Sequence, residues 1–381
     1  MTKIFFWASI FFIFYTYLGY PLISLFLGIF FKKRVNRGDF FPSLSLIIPA
    51  FNEESVIRDK LENSLKLDYP KQKLEIIVCS ESTDNTNSIV KEYSKRRVKL
   101  VEFSGRQGKS KMLYNTVPLS KGQVLVFSDA NSIYSKNALI KLSGNFADPT
   151  IAAVAGKLSI TNSKFSAISA GESWYKKYEN IIRRFDSLRH SVIGVDGAMF
   201  ALRREAYFPL NPERGDDFEL AVEVLIRNKG VVFEPEAVCF EKASLASQVE
   251  IKRKIRIVSW FLKSFFILLS KMFSPFKPGL IFRMISHKLL RWFSPYFFIS
   301  LFFASFFLLK QGFFFKLIFI SQSIFYFFGA LGWLLKERKK IRIPLVLKIP
   351  FYFLVVNYAF LAGTVAAARQ KQRPFWEKSQ R

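Results

Sequence analysis

The stretch VLVFSDANS, Val124 to Ser132, decides how this chain folds. Four apolar residues, mostly β-branched or aromatic, run straight into a polar cluster holding Asp129 and Asn131. An unbroken apolar run marks a strand buried on both faces of a parallel sheet, and ligands of open α/β sheets gather where such strands end. If the strand pitch persists, Asp129 and Asn131 project to one side. Two oxygen-bearing side chains at that spacing suit a hard divalent cation. The same residues also suit a strand that closes in a turn. The rest of the chain has to choose.

Upstream, LSLIIPAFNEE reads as a buried strand ending near Pro49, then a loop and a helix through Leu61 and Leu65. LEIIVCSESTDNT is a second strand and polar turn, followed by a helix from about Thr86 to Arg96. VKLVEF is a third strand, and GRQGKSKMLYN a loop feeding a helix. This strand–helix rhythm predicts a doubly wound, Rossmann-like α/β sheet with right-handed crossovers. GRQGKS lacks Walker spacing, and no dinucleotide fingerprint is present. Downstream, GVVFEPEAVCFE reads as two short strands.

The chain has 381 residues and a formal net charge of +28, with 45 phenylalanines gathered towards both ends. Such a charge invites a nucleic-acid reading. No nucleic-acid-binding signature is present, however, and the basic residues crowd beside apolar runs, as at a lipid bilayer. Residues 4–31 carry no charge and precede Lys32, Lys33, Arg34 and Arg37, which predicts a membrane helix with a cytoplasmic basic flank. Residues 257–291 alternate aromatic and basic positions, as interfacial helices do. Uncharged runs at 292–309, 317–335 and 349–368 read as crossings. The basic stretch 336–342 belongs on the cytoplasmic side, which leaves the basic tail outside, against the charge rule. Either the last run is re-entrant or a crossing is miscounted. The predicted units are an N-terminal span at 1–35, a cytoplasmic α/β domain at 43–250, interfacial helices at 251–291, C-terminal spans at 292–368 and a tail at 369–381. Cys79 and Cys239 read as buried thiols, and His190 and His287 as surface or interfacial residues.

Seven segments occur in a recognisable order over roughly residues 44–257: IIPAFNEE, SESTDNT, GRQGKSKMLYN, FSDANS, VDGAMFALRRE, GDDFELAVEVLIRNKG and VFEPEAVCFE. Together they resemble the membrane-bound branch of the family 2 glycosyltransferases, which have a GT-A fold. The resemblance implies that Ala50, Asn52 and Glu53 border the base and ribose of a nucleotide sugar. The chain is one residue shorter than the family at its second-strand motif, which leaves the base-contacting carboxylate open between Glu81 and Asp84. It implies a phosphate-facing loop at Gly108 and Lys109, since glycine admits close backbone approach and lysine supplies charge. The family's Asp-any-Asp metal motif reads Asp129-Ala130-Asn131 here, so Asp129 and Asn131 become the expected ligands of Mg²⁺ or Mn²⁺. Asp196, Gly197 and Glu241 fall on the acceptor side. Asp217 takes the place of the general base, and adjacent Asp216 would raise its pKa. Arg253 and Arg256 keep the arginines of a motif found in processive synthases, but Ile257 replaces its tryptophan and Trp260 comes three residues late. Glu81 and Asp84 also suit a helix N-terminus, and Asp216 and Asp217 an N-cap and first-turn acid.

The resemblance implies an inverting glycosyltransferase that uses a nucleoside-diphosphate sugar, in particular a UDP-sugar. The expected acceptor is a growing cell-surface polysaccharide or lipid-linked saccharide at the cytoplasmic membrane face. A polyisoprenyl phosphate is the rival acceptor. An inactive membrane scaffold in polysaccharide export is the rival of another class, supported by Asn131 and Ile257. The expected partners are the donor, the acceptor, the lipid bilayer and other synthesis or export subunits, with no nucleic acid.

Overall fold

The structure, a computed structural model, describes residues 1–209, 216–274, 276–337 and 344–369. Among the described residues eight strands form one sheet: β1 (Leu44–Ala50), β2 (Leu74–Ser80), β3 (Val98–Glu102), β4 (Val124–Phe127), β5 (Ile133–Tyr134), β6 (Ile151–Ile160), β7 (Phe200–Arg203) and β8 (Gly230–Glu241). Their order is β3-β2-β1-β4-β7-β6-β8-β5. The first four neighbours run parallel, whereas β7 runs antiparallel to both β4 and β6. The sheet is therefore mixed.

Strand periodicity sets the two cores. Leu46, Ile48, Val124 and Val126 enter the cluster with Ile57, Leu61 and Leu139, while Ile47, Leu125 and Phe127 enter the one with Met112, Leu113, Leu220 and Val224. Alternate residues thus feed opposite faces, as two-sided burial requires. Each fully buried aliphatic side chain contributes about 1.5–3 kcal/mol, which makes the short strands β1 and β4 worth more than their length.

Residues 230–241 form one strand, contrary to the two expected. Pro235 has no amide proton to donate, and it reads as a break in the sequence. The pairing with β6 jumps from Gly156↔Glu234 to Lys157↔Val238, so the irregularity is absorbed in a bulge. The histidines are a second correction, since both are buried. His287 lies 3.5 Å from Glu179 and 3.8 Å from Asp186, among charged groups that the sequence scatters over more than a hundred positions.

Among the described residues three helices are long and apolar enough to cross a membrane, Thr2–Phe30, Phe313–Leu335 and Val346–Ala368, or four if the bent pair Pro278–Trp292 and Ser294–Phe307 forms one span. The expected crossing at 292–309 is only the 14-residue helix Ser294–Phe307, bent by 57° from the segment Pro278–Trp292. At 1.5 Å per residue it reaches about 21 Å, short of a hydrocarbon core of about 30 Å. The expected interfacial segment begins as one long helix, Ser247–Lys271. Its inner face is not a surface: Val258, Leu262, Phe265 and Leu268 pack with Phe351, Tyr352 and Val355 of the last helix. The stretch 336–342 and the tail at 369–381 lie largely outside the described residues.

Gly122, in the turn before β4, packs directly against the backbone of β1. A Cβ there would lie 2.4 Å from the Ser45 nitrogen and 2.6 Å from the Leu44 carbonyl carbon, both backbone atoms that cannot turn aside. Gly122→Ala is expected to cost at least about 1–3 kcal/mol, the usual penalty of overpacking. Gly279→Ala, with nothing within 4 Å, should be neutral or mildly stabilising. Thermal unfolding of the two detergent-solubilised variants measures the difference, and equal midpoints would contradict it.

Candidate functional site

The loops that leave β1, β2, β3 and β4 meet at one rim of the sheet. Asn52, at the end of β1, holds a φ of 54°, a left-handed conformation that asparagine tolerates better than most residues. Its side-chain oxygen accepts from the backbone N–H groups of Thr83 at 2.8 Å and Asp84 at 3.3 Å. The Ala50 carbonyl accepts the N–H of Glu81 at 3.2 Å, and the N–H of buried Glu53 donates to the Thr86 hydroxyl at 2.8 Å. Asp84 accepts from the N–H and hydroxyl of Thr86 at 3.0 and 2.5 Å, where a helix begins. Glu81 is buried and accepts the N–H groups of Gln107 and Gly108 at 2.5 and 2.9 Å. Glu81 therefore shapes the glycine loop, and Asp84 fastens the turn. The Arg106 guanidinium lies 3.5 Å from the centre of the Phe51 ring, a flat cationic plate beside these loops.

Asp129 and Asp217 come together. Their meeting point is Gly197: a Cβ there would stand 2.7 Å from Lys109 Nζ, 3.6 Å from Asp217 Oδ2 and 3.9 Å from Asp129 Oδ1. Lys109 donates to Asp129 Oδ1 at 2.9 Å, and Asp217 Oδ2 accepts the Gly197 N–H at 3.1 Å. The other Asp217 oxygen accepts the N–H of Phe218 at 2.8 Å, fixing the carboxylate against its own helix. The antiparallel pair Phe127↔Phe200 causes this convergence, because it sets the end of β4 beside the start of β7. Asn131 lies half-buried in the turn after Asp129. Asp216 opens the helix Asp216–Ile226, and its side chain lies outside the described residues.

Asp196 is held by two cations, Lys176 and Arg183, each at 2.6 Å. Burial works against its charge, but Arg183 and Lys176 together keep its carboxyl far below the ordinary range. Glu241 accepts the Ser132 hydroxyl at 2.5 Å, so it supports the Asp129 turn from behind. Arg253 pairs with Glu172 and, at 2.9 Å, with Glu250, while Arg256 lies 5.6 Å over the Trp260 ring. The late tryptophan therefore still meets an arginine, one helical turn along.

The group most clearly missed from the sequence is Lys60. It is fully buried, and its ammonium donates to the Ser128 hydroxyl at 2.7 Å and the Ser132 carbonyl at 2.6 Å, clasping both ends of the turn that carries Asp129. It also lies 4.0 Å from the centre of the Tyr134 ring. Burial pushes its pKa down to about 7, with Cys239, Asp129 and Glu241 opposing the shift. Its place on the amphipathic helix Ile57–Leu65 reads as ordinary surface charge.

Residues 42–259 match the family model described as Glycosyltransferase like family 2. The chain is 30% identical over 266 residues to the Probable glycosyltransferase YdaM of Bacillus subtilis (strain 168), covering 63% of this chain and 61% of that one. It is 23% identical over 203 residues to the Poly-beta-1,6-N-acetyl-D-glucosamine synthase of Staphylococcus epidermidis, covering 52% and 49%. The matches thus span between about half and three-fifths of these curated relatives. Among solved structures, the mannosyltransferase PcManGT from Pyrobaculum calidifontis, in complex with GDP-Man and Mn²⁺, superposes with a TM-score of 0.71. That match covers 98% of this chain and 100% of that one at 21% identity, a likeness of fold.

Removing one partner of a buried ion cluster leaves the others uncompensated, at a cost of about 3–5 kcal/mol. Asp196→Asn is accordingly expected to lower the unfolding midpoint of the detergent-solubilised chain. Because the folded-state pKa is depressed, the wild-type advantage is full above the ordinary carboxylate value and fades as pH falls below about 4. Unfolding midpoints of the two proteins should converge in acid, and a constant gap would refute the assignment.

Proposed function

The chain belongs to the family 2 glycosyltransferases, and on that footing we propose that it moves a sugar from a UDP-sugar to a growing cell-surface polysaccharide or lipid-linked saccharide, with inversion. The observation that carries this reading is the meeting of Asp129, Asp217 and Lys109 around Gly197. A transfer with inversion needs a charged group for the departing diphosphate and one base for the attacking hydroxyl, on opposite sides of a sugar.

In this reading the loops at Ala50, Asn52, Glu53, Glu81 and Asp84 form the nucleotide end of the site. Their hydrogen bonds to one another make a rigid frame, and the Phe51–Arg106 plate offers a flat face to a base. Gly108, with a φ of 84°, turns its backbone tightly ahead of Lys109, which lies within reach of a diphosphate. Asp217 accepts the proton of the acceptor hydroxyl as that oxygen attacks the anomeric carbon. Its contacts with the Gly197 and Phe218 N–H groups hold the carboxylate in place. Asp196 acts one residue away as an anchor: with Lys176 and Arg183 it fixes the strand that presents Gly197. Arg253 and Arg256, engaged by Glu172, Glu250 and Trp260, are the second source of positive charge for the donor.

Among the described residues no group of three or more His, Cys, Asp or Glu gathers as a metal cage. A shared site fits the residues present, with Asp129 and Asn131 supplying oxygens and the donor diphosphate supplying others. Bound there, Mg²⁺ or Mn²⁺ would offset the charge that develops on the departing diphosphate.

The apolar helices support placement in a membrane. Phe5, Trp7, Phe11 and Phe14 of the first helix turn outward, and the basic flank Lys32–Arg34 supports a cytoplasmic side for the sheet. That side also holds the nucleotide sugars.

Membranes carrying the full chain, screened against UDP- and GDP-sugars, should release nucleoside diphosphate from one donor in a metal-dependent way. Asp217→Asn is expected to lower kcat by about 10²–10⁴-fold, the range for a general base, with donor KM little changed. Equal turnover by wild type and variant would remove Asp217 from the mechanism.

A further inference from the structure

Lys60 lies fully buried on the protein side of the turn that carries Asp129. Its ammonium donates to Ser128 Oγ at 2.7 Å and to the Ser132 carbonyl at 2.6 Å, so it grips the turn from both ends. The Ser132 N–H in turn donates to the Asp129 carbonyl at 3.2 Å. A third contact fixes the cation, because the centre of the Tyr134 ring stands 4.0 Å away. Tyr134 extends the linkage to the other half of the site. Its hydroxyl donates to the Ala198 carbonyl at 3.0 Å, and Ser128 Oγ lies 3.4 Å from the same oxygen. Ala198 follows Gly197, whose N–H holds Asp217 Oδ2 at 3.1 Å.

We propose that Lys60 is a positioning residue that sets the spacing between the Asp129 turn and the Gly197–Asp217 contact, and with it the alignment of leaving group and base across the sugar. The inference rests on the reading of Asp217 as general base. An apolar side chain of similar length would fill the same space without the desolvation that a buried ammonium suffers. What it could not do is hold Ser128 and Ser132 at a fixed separation while the same group braces Tyr134. Such bracing matters for an in-line displacement, in which a shift of about 1 Å set up away from the reacting atoms can cost about 100-fold in rate.

A double-mutant cycle on the detergent-solubilised full chain tests this. Release of nucleoside diphosphate from the accepted donor, corrected for folded protein, gives kcat for wild type, Lys60→Met, Asp217→Asn and the double variant. Lys60→Met is expected to lower kcat about 10–100-fold, and the cost of Asp217→Asn to shrink by a similar factor in that background, since a displaced base has less to lose. A lysine that only supports the fold would leave the two losses multiplicative. Tyr134→Phe keeps the ring beside the ammonium but removes the hydroxyl from Ala198. It should lower kcat about three- to tenfold and reduce the cost of Asp217→Asn to match, which decides the matter if Lys60→Met fails to fold. Multiplicative losses in the cycles, or wild-type kcat in folded Lys60→Met, would overturn the proposal and leave Asp217 as the base. Equal turnover by wild type and Asp217→Asn would overturn the reading beneath it, and the proposal as well.

Discussion

The pairing of β4 with β7 is the contact on which the rest of the site depends. Phe127 opposite Phe200 ends one apolar strand where another begins, running the other way. In a wholly parallel sheet, the turn after β4 would look out over the rim with no facing strand. Reversing one strand brings residues 196–199 to it, and with them the N–H that holds Asp217. Two acids distant in the chain then share one small space, and that space exists because residue 197 has no side chain.

Charge in this region is arranged in pairs. Asp129 has Lys109, Asp196 has Lys176 and Arg183, and Glu241 answers Lys60 across Ser132. Burial of an isolated charge is costly, so each partner makes the others tolerable. The result is a framework that is rigid without being apolar. Its negative members are largely committed to backbone N–H groups or to cations.

Much of this was legible in the sequence because the strands are short, apolar and regularly spaced. The near-continuous apolar runs LSLIIPA and VLVF foretell burial on two faces, and the run of motifs foretells which strand ends carry acids. Other features depend on contacts that no local pattern records. Lys60 reads as a solvated helix residue, since its partners Ser128 and Ser132 lie some seventy positions away. Pro235 reads as a strand break because a missing N–H is visible in sequence, whereas the bulge that absorbs it is not. His287 reads as an isolated interfacial residue, and only the fold reveals Glu179 and Asp186 around it. The bend near residue 293 is hidden for a related reason. Composition shows how apolar residues 292–309 are but not where their helix stops and bends.

The helix Asp216–Ile226 is apolar on two sides. Leu220, Ala221 and Val224 face the sheet, while Phe218 and Val222 face Val258, Phe265 and Phe351. It is a wedge driven between the catalytic sheet and the long apolar helices. Phe218 is the residue whose N–H fixes the Asp217 carboxylate, so that carboxylate and the apolar backing meet at neighbouring residues. A displacement of those helices against Phe218 would therefore carry the Asp217 backbone with it.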